Sequence, residues 1–420
     1  MKIKKSRLIS LCMILILMLV PDPGAGFGFP RYLLIIGLAA VQIMFDGMSI
    51  RRIEFSIWEY IYLFTLLGSY VIHFSRPTSY YGILSVLGFF VCTRYLMCIQ
   101  IKRQVDVNWI IDVVLFLGCI YAALCLIEDF TQFNLFDIVF SRSVISGGAN
   151  SFRSGVFRGH GVCSVSTNNA MLLYLIWILS TFKFYEKGCK RKYKVFFWII
   201  GAATFMCQAR MVILAGIVLQ CVVAIRSGVS KAVRRFLLAT TAVSVLLFFN
   251  PALQESINQM FMPIYEEIFL GETHSNIKGV SMYGSGHRAV LWTWVYETIK
   301  SNLLFGKGFV EQFKYTYDAG SYNATKTSIE VHWLYVMYQK GLFGLFGFIS
   351  YQIGVLRLLF SNRNKRKIAD FRFVMMVGTV LYFIMLFGCS GFEDLVFFYF
   401  MVTLYILYSK FENAREFDIE

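Results

Sequence analysis

A histidine and an arginine in the second half of the chain have side chains suited to acid–base chemistry beside an anion. His332 precedes an apolar run, and a neutral imidazole, with a pKa of about 6.5, can accept a proton at physiological pH. Arg288 carries a planar guanidinium that can bind a phosphate through two parallel hydrogen bonds. A histidine at such a boundary is more often a plain hydrogen-bonding residue, so its assignment as a base depends on the cations around it.

The residues before Arg288 predict the start of a helix. Ser285 and Gly286 precede it, and a serine side chain commonly accepts a free backbone N–H group at a helix start. Such N–H groups also favour a phosphate oxygen. We therefore expect Ser285 to cap a helix that begins near Gly286, with Arg288 in its first turn. Trp292 and Trp294 follow; their rings are typical of a membrane interface, and stacking on a sugar is the alternative.

Arg210 is a third candidate, because it lies in a tight turn between two apolar runs. Each run has a length of about 21 Å as a helix, which is shorter than the hydrocarbon core of about 30 Å. We therefore expect Arg210 to lie recessed within a bundle of helices. An arginine in that position indicates a functional site, and a structural ion pair is the alternative.

Three more cations lie in segments that we expect to face outward. Arg153 and Arg158 belong to the polar segment 128–166, and Lys307 belongs to the glycine turn Leu304–Phe309. Basic residues outside depart from the inside bias that membrane proteins show. An anionic partner would explain that departure, and a solvated loop would explain it equally well.

Apolar runs of membrane length must position all these residues. The chain is 57% hydrophobic and 15% charged, with a mean hydropathy of +0.62, which is typical of an integral membrane protein. We predict an all-α polytopic membrane protein with about twelve transmembrane helices and a large extracytoplasmic loop. The predicted spans are Leu8–Val20, Tyr32–Ile50, Phe55–Phe74, Ser79–Ile99, Trp109–Ile127, Thr167–Phe184, Val195–Gln208, Met211–Ile225, Phe236–Phe249, Leu342–Leu359, Phe371–Phe387 and Phe392–Tyr408.

The net charge of +15 reflects membrane topology rather than nucleic-acid binding, because Lys and Arg cluster in short loops between the spans. The preference of Lys and Arg for inside loops divides the chain into three parts. Residues 1–249 hold nine spans with an outside loop at 128–166, residues 250–341 form the large outside loop, and residues 342–420 hold three spans and an inside tail. The first apolar run is interpreted as an uncleaved helix, with a signal peptide as the alternative. The ten cysteines show no metal-binding spacing.

Taken in order, several motifs resemble those of the bacterial O-antigen polymerase and O-antigen ligase family. They are Gly284–Arg288 with Trp292, the turn Leu304–Phe309, His332–Trp333 and Lys340–Leu345. Two earlier stretches, Phe152–Asn169 and Gln208–Arg210, resemble further elements of that family. The family usually has Asn after the histidine, and here Trp333 replaces it, so the role of that amide is unfilled or moved.

The resemblance implies a GT-C-like membrane glycosyltransferase that uses no cofactor, metal or sugar nucleotide. Its donor and acceptor would be undecaprenyl-pyrophosphate-linked glycans, in the bacterial cytoplasmic (inner) membrane, with the active site facing the periplasm. It implies catalytic roles for His332 and Arg288, and pyrophosphate or glycan binding by the other cations. Those cations are Arg210, Arg153, Arg158 and Lys307. Membrane lipids and a polysaccharide chain-length regulator are further candidate partners.

Three functions stay open at this point. The first expectation is a polymerase of repeat units for O-antigen or capsular polysaccharide. The ligase that moves finished glycan onto lipid A-core shares these motifs and differs in its acceptor. A polyisoprenoid-glycan flippase or transporter is the weaker alternative. It would be expected to show internal repeats and charged residues at mid-membrane, and the sequence indicates neither.

Overall fold

The computed structural model describes most of the chain. The ranges are residues 5–21, 30–47, 55–74, 77–140, 152–153, 156–163, 165–186, 188–207, 209–228, 285–308, 313–318, 323–326, 329, 331–361, 366–389 and 393–417. Every predicted span except Phe236–Phe249 coincides with a helix, and that span lies outside the described residues.

Helices carry the fold. They are α1 (Lys5–Leu19), α2 (Arg31–Asp46), α3 (Ile57–Ile72), α4 (Pro77–Val86), α5 (Thr93–Gln100), α6 (Gln104–Thr131), α7 (Leu135–Val139), α8 (Ser166–Tyr185), α9 (Arg191–Met206), α10 (Arg210–Arg226), α11 (Ser285–Ile299), α12 (His332–Ser361), α13 (Arg366–Met385) and α14 (Glu393–Phe417). A π-helical turn, Leu87–Cys92, joins α4 to α5, and a 3-10 turn, Lys300–Asn302, follows α11.

Two short antiparallel hairpins complete the described structure. Strands β1 (Phe152–Arg153) and β2 (Val156–Phe157) pair Phe152 with Phe157. Strands β3 (Tyr315–Asp318) and β4 (Asn323–Lys326) pair Tyr315 with Lys326. Both hairpins lie in segments that the sequence predicts as loops, and the prediction of an all-α membrane protein is confirmed.

The bundle is centred on α8, whose residues from Asn168 to Lys183 are buried on all sides. Helices α6, α9, α10, α13 and α14 pack around it, while α3 packs along α12. Tyr62 of α3 stacks on Tyr351 of α12, with ring centroids 4.9 Å apart. A helix that is apolar all round belongs inside a bundle, which explains why α8 shows no amphipathic pattern in the sequence.

Three helices are long and apolar enough, by length and composition, to cross a membrane: Tyr80–Gln100, Gln104–Thr131 and His332–Phe360. Shorter apolar helices such as Ile57–Ile72 lie beside them, and large apolar side chains are exposed on the outer faces of the bundle. The chain is therefore a helical membrane protein. The count of twelve spans stays a prediction.

A buried ion pair joins three helices of the bundle. The Arg94 guanidinium on α5 lies 3.7 Å from the Glu59 carboxylate on α3, and it donates a 2.9 Å hydrogen bond to the Thr403 hydroxyl on α14. Glu59 also accepts a hydrogen bond from the backbone N–H of Ser56, which caps α3. Because charges inside a membrane protein are costly unless paired, this contact fixes how these helices pack.

Candidate active site

Helix α12 does not run straight from His332 to Ser361. At Gly341 the backbone has φ 64° and ψ −161°, which breaks the helix into two arms. In a straight helix His332 and Phe348 would be about 24 Å apart. Their ring centroids are 5.1 Å apart, so the first arm, residues 332–340, folds back over the second arm, residues 342–361. The Trp333 ring confirms the reversal, because it also contacts Phe348, at 5.4 Å.

The glycine turn after α11 packs into this break. The backbone N–H groups of Lys307 and Gly308 donate to the carbonyls of Tyr338 and Gln339, at 2.8 and 2.9 Å. In the other direction, the N–H groups of Leu342 and Phe343 donate to the carbonyls of Leu303 and Leu304, both at 3.0 Å. Carbonyls at the end of the first arm and N–H groups at the start of the second have no partner within their own helices, so the turn satisfies both sets.

His73 holds the same turn from the end of α3. Its Nε2–H donates to the Phe305 carbonyl at 3.0 Å, and its ring lies against Gly308, where an added Cβ would be 3.1 Å from the ring. The sequence alone assigns no role to His73. No local pattern indicates it, because its partner is 232 positions away in the chain.

His332 is held by its backbone and buried by its surroundings. Its N–H lies within hydrogen-bond distance of the carbonyls of Leu386 and Cys389, at 3.0 and 3.2 Å, which ties it to the end of α13. The imidazole is 2% exposed, and neither ring nitrogen has a hydrogen-bond partner among the described residues. An imidazole without partners is uncommon in a protein interior, so this ring has both nitrogens available for a ligand.

A cavity of about 30 Å³ lies between the two arms of α12. We call it the α12 notch. It is lined by Tyr62, Leu66, Tyr70, Ser85, Val86, Phe89, Phe90, His332, Tyr335, Val336, Lys340, Gly344, Phe348, Leu395 and Val396. The volume is sufficient for about two water molecules. Chemistry on a sugar at His332 therefore requires the notch to open.

Lys340 is the second polar group that the fold-back brings into the notch. It is 8% exposed, and its ammonium nitrogen lies 5.5 Å from the centroid of the Tyr70 ring. Lys307 contacts the same arm, where its backbone N–H donates to the Tyr338 carbonyl. In the sequence Lys340 is only a member of the motif Lys340–Leu345, with no function of its own. The positive φ of Gly341 folds the arm that carries both His332 and Lys340 back over the second arm.

The helix that carries Arg288 packs on the first arm of α12. Helix α11 begins at Ser285, within one residue of the predicted start, and it buries Leu291, Val295 and Ile299 against the first arm. The capping role of Ser285 stays a prediction. Trp294 stacks on Tyr315, with centroids 4.8 Å apart, and so supports the β3–β4 hairpin. Arg288 is in the first turn of α11, and its side chain lies outside the described part of the structure. Its contact with phosphate stays a prediction.

Arg210 is placed by the pairing of α10 with α13. The Arg226 guanidinium lies 3.6 Å from Asp370 at one end of this pair, and the two helices pack along each other, so they are antiparallel. Counting back from Arg226 puts Arg210 about 24 Å away along α10, near the end of α13. Helix α13 ends next to His332. Half-buried Arg210 and His332 therefore lie at the same end of the bundle.

Two buried acids hold the backbone that follows Arg158. Glu128 accepts the backbone N–H groups of His160 and Gly161, both at 3.0 Å, and Asp129 accepts that of Gly159 at 2.6 Å. The His160 ring lies 3.2 Å from the same Glu128. These bonds fix the segment that follows Arg158. The sequence predicts Glu128 as the start of an outside loop, and in the structure its carboxylate holds the backbone of His160 and Gly161.

Asn169 connects these hydrogen-bonded residues to the turn between α9 and α10. Its Oδ1 accepts a 2.5 Å bond from the Tyr121 hydroxyl, and its amide contacts the Gly159 carbonyl at 3.4 Å and the Cys207 sulfur at 3.5 Å. Cys207 caps α9, three residues before Arg210. Asn169 thus contacts both Gly159, which follows Arg158 in the chain, and the residue that ends α9 just before the Arg210 turn. The Arg153 side chain lies outside the described residues.

The fold and the site define a class: a helical membrane protein with a buried histidine whose ring nitrogens have no partner among the described residues, and with Arg210 at the same end of the bundle. Residues 195–349 match the family model described as O-antigen ligase, which confirms the resemblance to the O-antigen polymerase and ligase family over that stretch. The match includes Arg210, Arg288, Lys307 and His332. A search of the curated proteins gave no match for this chain. The described ranges contain no group of His, Cys, Asp or Glu side chains placed to hold a metal ion.

Proposed function

We propose that this protein is a membrane glycosyltransferase that polymerises undecaprenyl-pyrophosphate-linked repeat units at the outer face of the cytoplasmic membrane. The observation that carries the proposal is His332: a buried imidazole without a hydrogen-bond partner in the described structure, at the end of the bundle that also holds Arg210. A base needs a free ring nitrogen, and a lipid-borne diphosphate needs cations at the membrane boundary.

In this mechanism the cations hold the donor and the histidine activates the acceptor. Arg210 and Arg288, with Arg153, Arg158 and Lys307 as further contacts, bind the pyrophosphate of the donor. His332 removes the proton from a hydroxyl of the acceptor sugar as that oxygen attacks the anomeric carbon of the donor. The bond from that carbon to the pyrophosphate oxygen breaks, lipid pyrophosphate leaves, and the anomeric configuration inverts. No step requires a metal.

The notch must open for this chemistry, because it is too small for a sugar ring. The first arm of α12 is held by the turn at Leu303–Gly308 and by the backbone of α13, and Gly341 is the break between the arms. Movement of the first arm about Gly341 would expose His332 to a substrate while the second arm stays packed on α3. Loops and domains that close over a substrate commonly gate enzymes in this way.

A ligase is the second candidate, because the matching family model is described as O-antigen ligase. The two reactions share a donor and differ in the acceptor, which is lipid-linked glycan for the polymerase and lipid A-core for the ligase. The distinguishing experiment gives purified protein a labelled lipid-linked repeat unit, alone or with lipid A-core. A ladder of longer products without lipid A-core supports the polymerase. Transfer that occurs only onto lipid A-core, without a ladder, refutes it in favour of the ligase.

A further inference from the structure

Lys340 is a buried cation without a counter-charge in the described structure. No described carboxylate lies within ion-pair distance of it, and its ammonium nitrogen lies 5.5 Å from the centroid of the Tyr70 ring. An ammonium group in a membrane-protein interior is costly unless it is compensated. A cation–π contact and the carbonyl end of the first arm supply part of that compensation. Neither of them supplies a full negative charge.

The His332 ring lacks hydrogen-bond partners among the described residues, as Lys340 lacks a counter-charge there. A neutral imidazole carries one N–H donor and one acceptor nitrogen, and neither is satisfied by a described residue. A histidine that works as a base normally has a second group that accepts its N–H and so fixes which nitrogen carries the lone pair. Among the residues that line the α12 notch there is no Asp or Glu for this role.

We propose that the α12 notch is an oxyanion-binding site in which Lys340 supplies the charge and His332 donates one ring N–H to the same oxyanion. The ligand is a phosphate or carboxylate group of the substrate, and the reaction to which it belongs rests on the function proposed above. The notch holds about two water molecules, and a bound oxyanion would take their place. Binding orients the imidazole so that its second nitrogen faces the acceptor hydroxyl, which makes Lys340 a positioning residue.

Two groups of the proposed substrates carry such an oxyanion. One is the pyrophosphate of the lipid-linked donor, and the other is the carboxylate of an acidic sugar in the acceptor. Both place an oxyanion within reach of the base, because the attacked carbon bears the pyrophosphate and the acceptor sugar bears the attacking oxygen. The test therefore includes one probe for each source, together with inorganic phosphate.

The site is tested through the signals of the His332 imidazole in the full-length protein. Protein labelled with ¹⁵N-histidine is reconstituted in lipid, and the signal of His332 is identified by its loss in His332→Gln. Inorganic pyrophosphate, inorganic phosphate and glucuronate are titrated at constant ionic strength. We expect at least one of them to shift the His332 signals. A shift by the phosphates alone identifies the donor as the source, and a shift by glucuronate alone identifies an acidic sugar.

Variants of two lysines make the test specific. Lys340→Met should require about tenfold or more anion for the half-maximal shift, because it removes a charge-assisted hydrogen bond. Lys340→Arg keeps the charge and should keep the response. Lys300→Met is the matched control, since Lys300 is exposed and paired with Glu297 at 2.5 Å. It should behave as the unaltered protein does.

Three outcomes separate this inference from the proposed function. If no probe shifts the His332 signals of the folded, unaltered protein, the oxyanion site does not exist. If folded Lys340→Met responds at the same concentrations as the unaltered protein, Lys340 does not form it. If the Lys340-dependent shift is present in a protein that transfers no glycan in any assay, the site stands and the glycosyltransferase proposal fails.

Discussion

The backbones of Gly306 and Gly341 are in contact. A side chain at either position would displace the segment that contains the other glycine. An added Cβ at Gly306 would be 2.6 Å from the Gly341 nitrogen, and one at Gly341 would collide with the Leu304 carbonyl. Both have positive φ, 69° and 64°. This contact joins the glycine turn to the break in α12 and so sets where His332 and Lys340 lie.

The first prediction concerns that contact. Gly341→Ala should lower the unfolding temperature and the activity together, because φ 64° with ψ −161° is a backbone region open essentially only to glycine, and alanine there costs about 1–3 kcal/mol before any collision is counted. Gly37→Ala is the control, since an added Cβ there meets nothing within 4 Å. Thermal unfolding of both purified variants checks the prediction. A Gly341→Ala protein as stable as Gly37→Ala would show that the arms do not depend on the glycine contact.

The second prediction concerns the ion pair inside the bundle. Glu59→Gln should destabilise the protein by about 3–5 kcal/mol, because it leaves the Arg94 guanidinium buried beside a neutral amide. Glu297→Gln removes an exposed partner of Lys300 and should change stability little. Fluorescence-detected unfolding in detergent compares the two. Equal unfolding temperatures would mean that the buried pair contributes no stability.

The sequence predicted the helices far better than the way one of them folds back. Apolar length alone located the span Leu342–Leu359, and the second arm of α12 matches it. The motif Lys340–Leu345 contained Gly341, but a glycine in an apolar helix has many roles, and only its contact with Gly306 shows that the chain reverses there.

For the site residues as well, the sequence predicted residue types better than their contacts. The residue types pointed to His332 and Arg210, because a histidine and an arginine beside apolar runs are conspicuous. The roles of Glu128, Asn169 and His73 were missed, since each bonds a backbone group or side chain distant in sequence. Such contacts depend on tertiary packing, which spacing along one chain does not determine.

The third prediction concerns phosphate binding by Arg288. Arg288→Lys keeps the charge and loses the planar fork, so glycan transfer should fall by at least about tenfold. The measurement is extension of lipid-linked repeat units by purified protein. Lys307→Arg, which keeps a charge in the glycine turn, is the comparison and should lose less. If Arg288→Lys transfers glycan at the unaltered rate, a point charge suffices and the bidentate role is wrong.

The fourth prediction concerns orientation. The basic loops at 185–194, 226–235 and 362–367 should face the cytoplasm, and residues 271–330 should face outward, because Lys and Arg favour the inside. Single cysteines are placed in each segment of a variant without native cysteines, and intact cells are treated with a thiol reagent that does not cross the membrane. Labelling of the three basic loops, with residues 271–330 unlabelled, would invert the proposed topology.

The most direct test of the account is the loss of the His332 imidazole. The measurement is extension of labelled lipid-linked repeat units by purified His332→Ala, with thermal unfolding recorded on the same sample and Trp333→Phe as a neighbouring control. We expect folded His332→Ala to lose about 10²–10⁴-fold in rate while it still binds the donor, as removal of a general base does. Extension by well-folded His332→Ala at a near-normal rate would contradict the central claim.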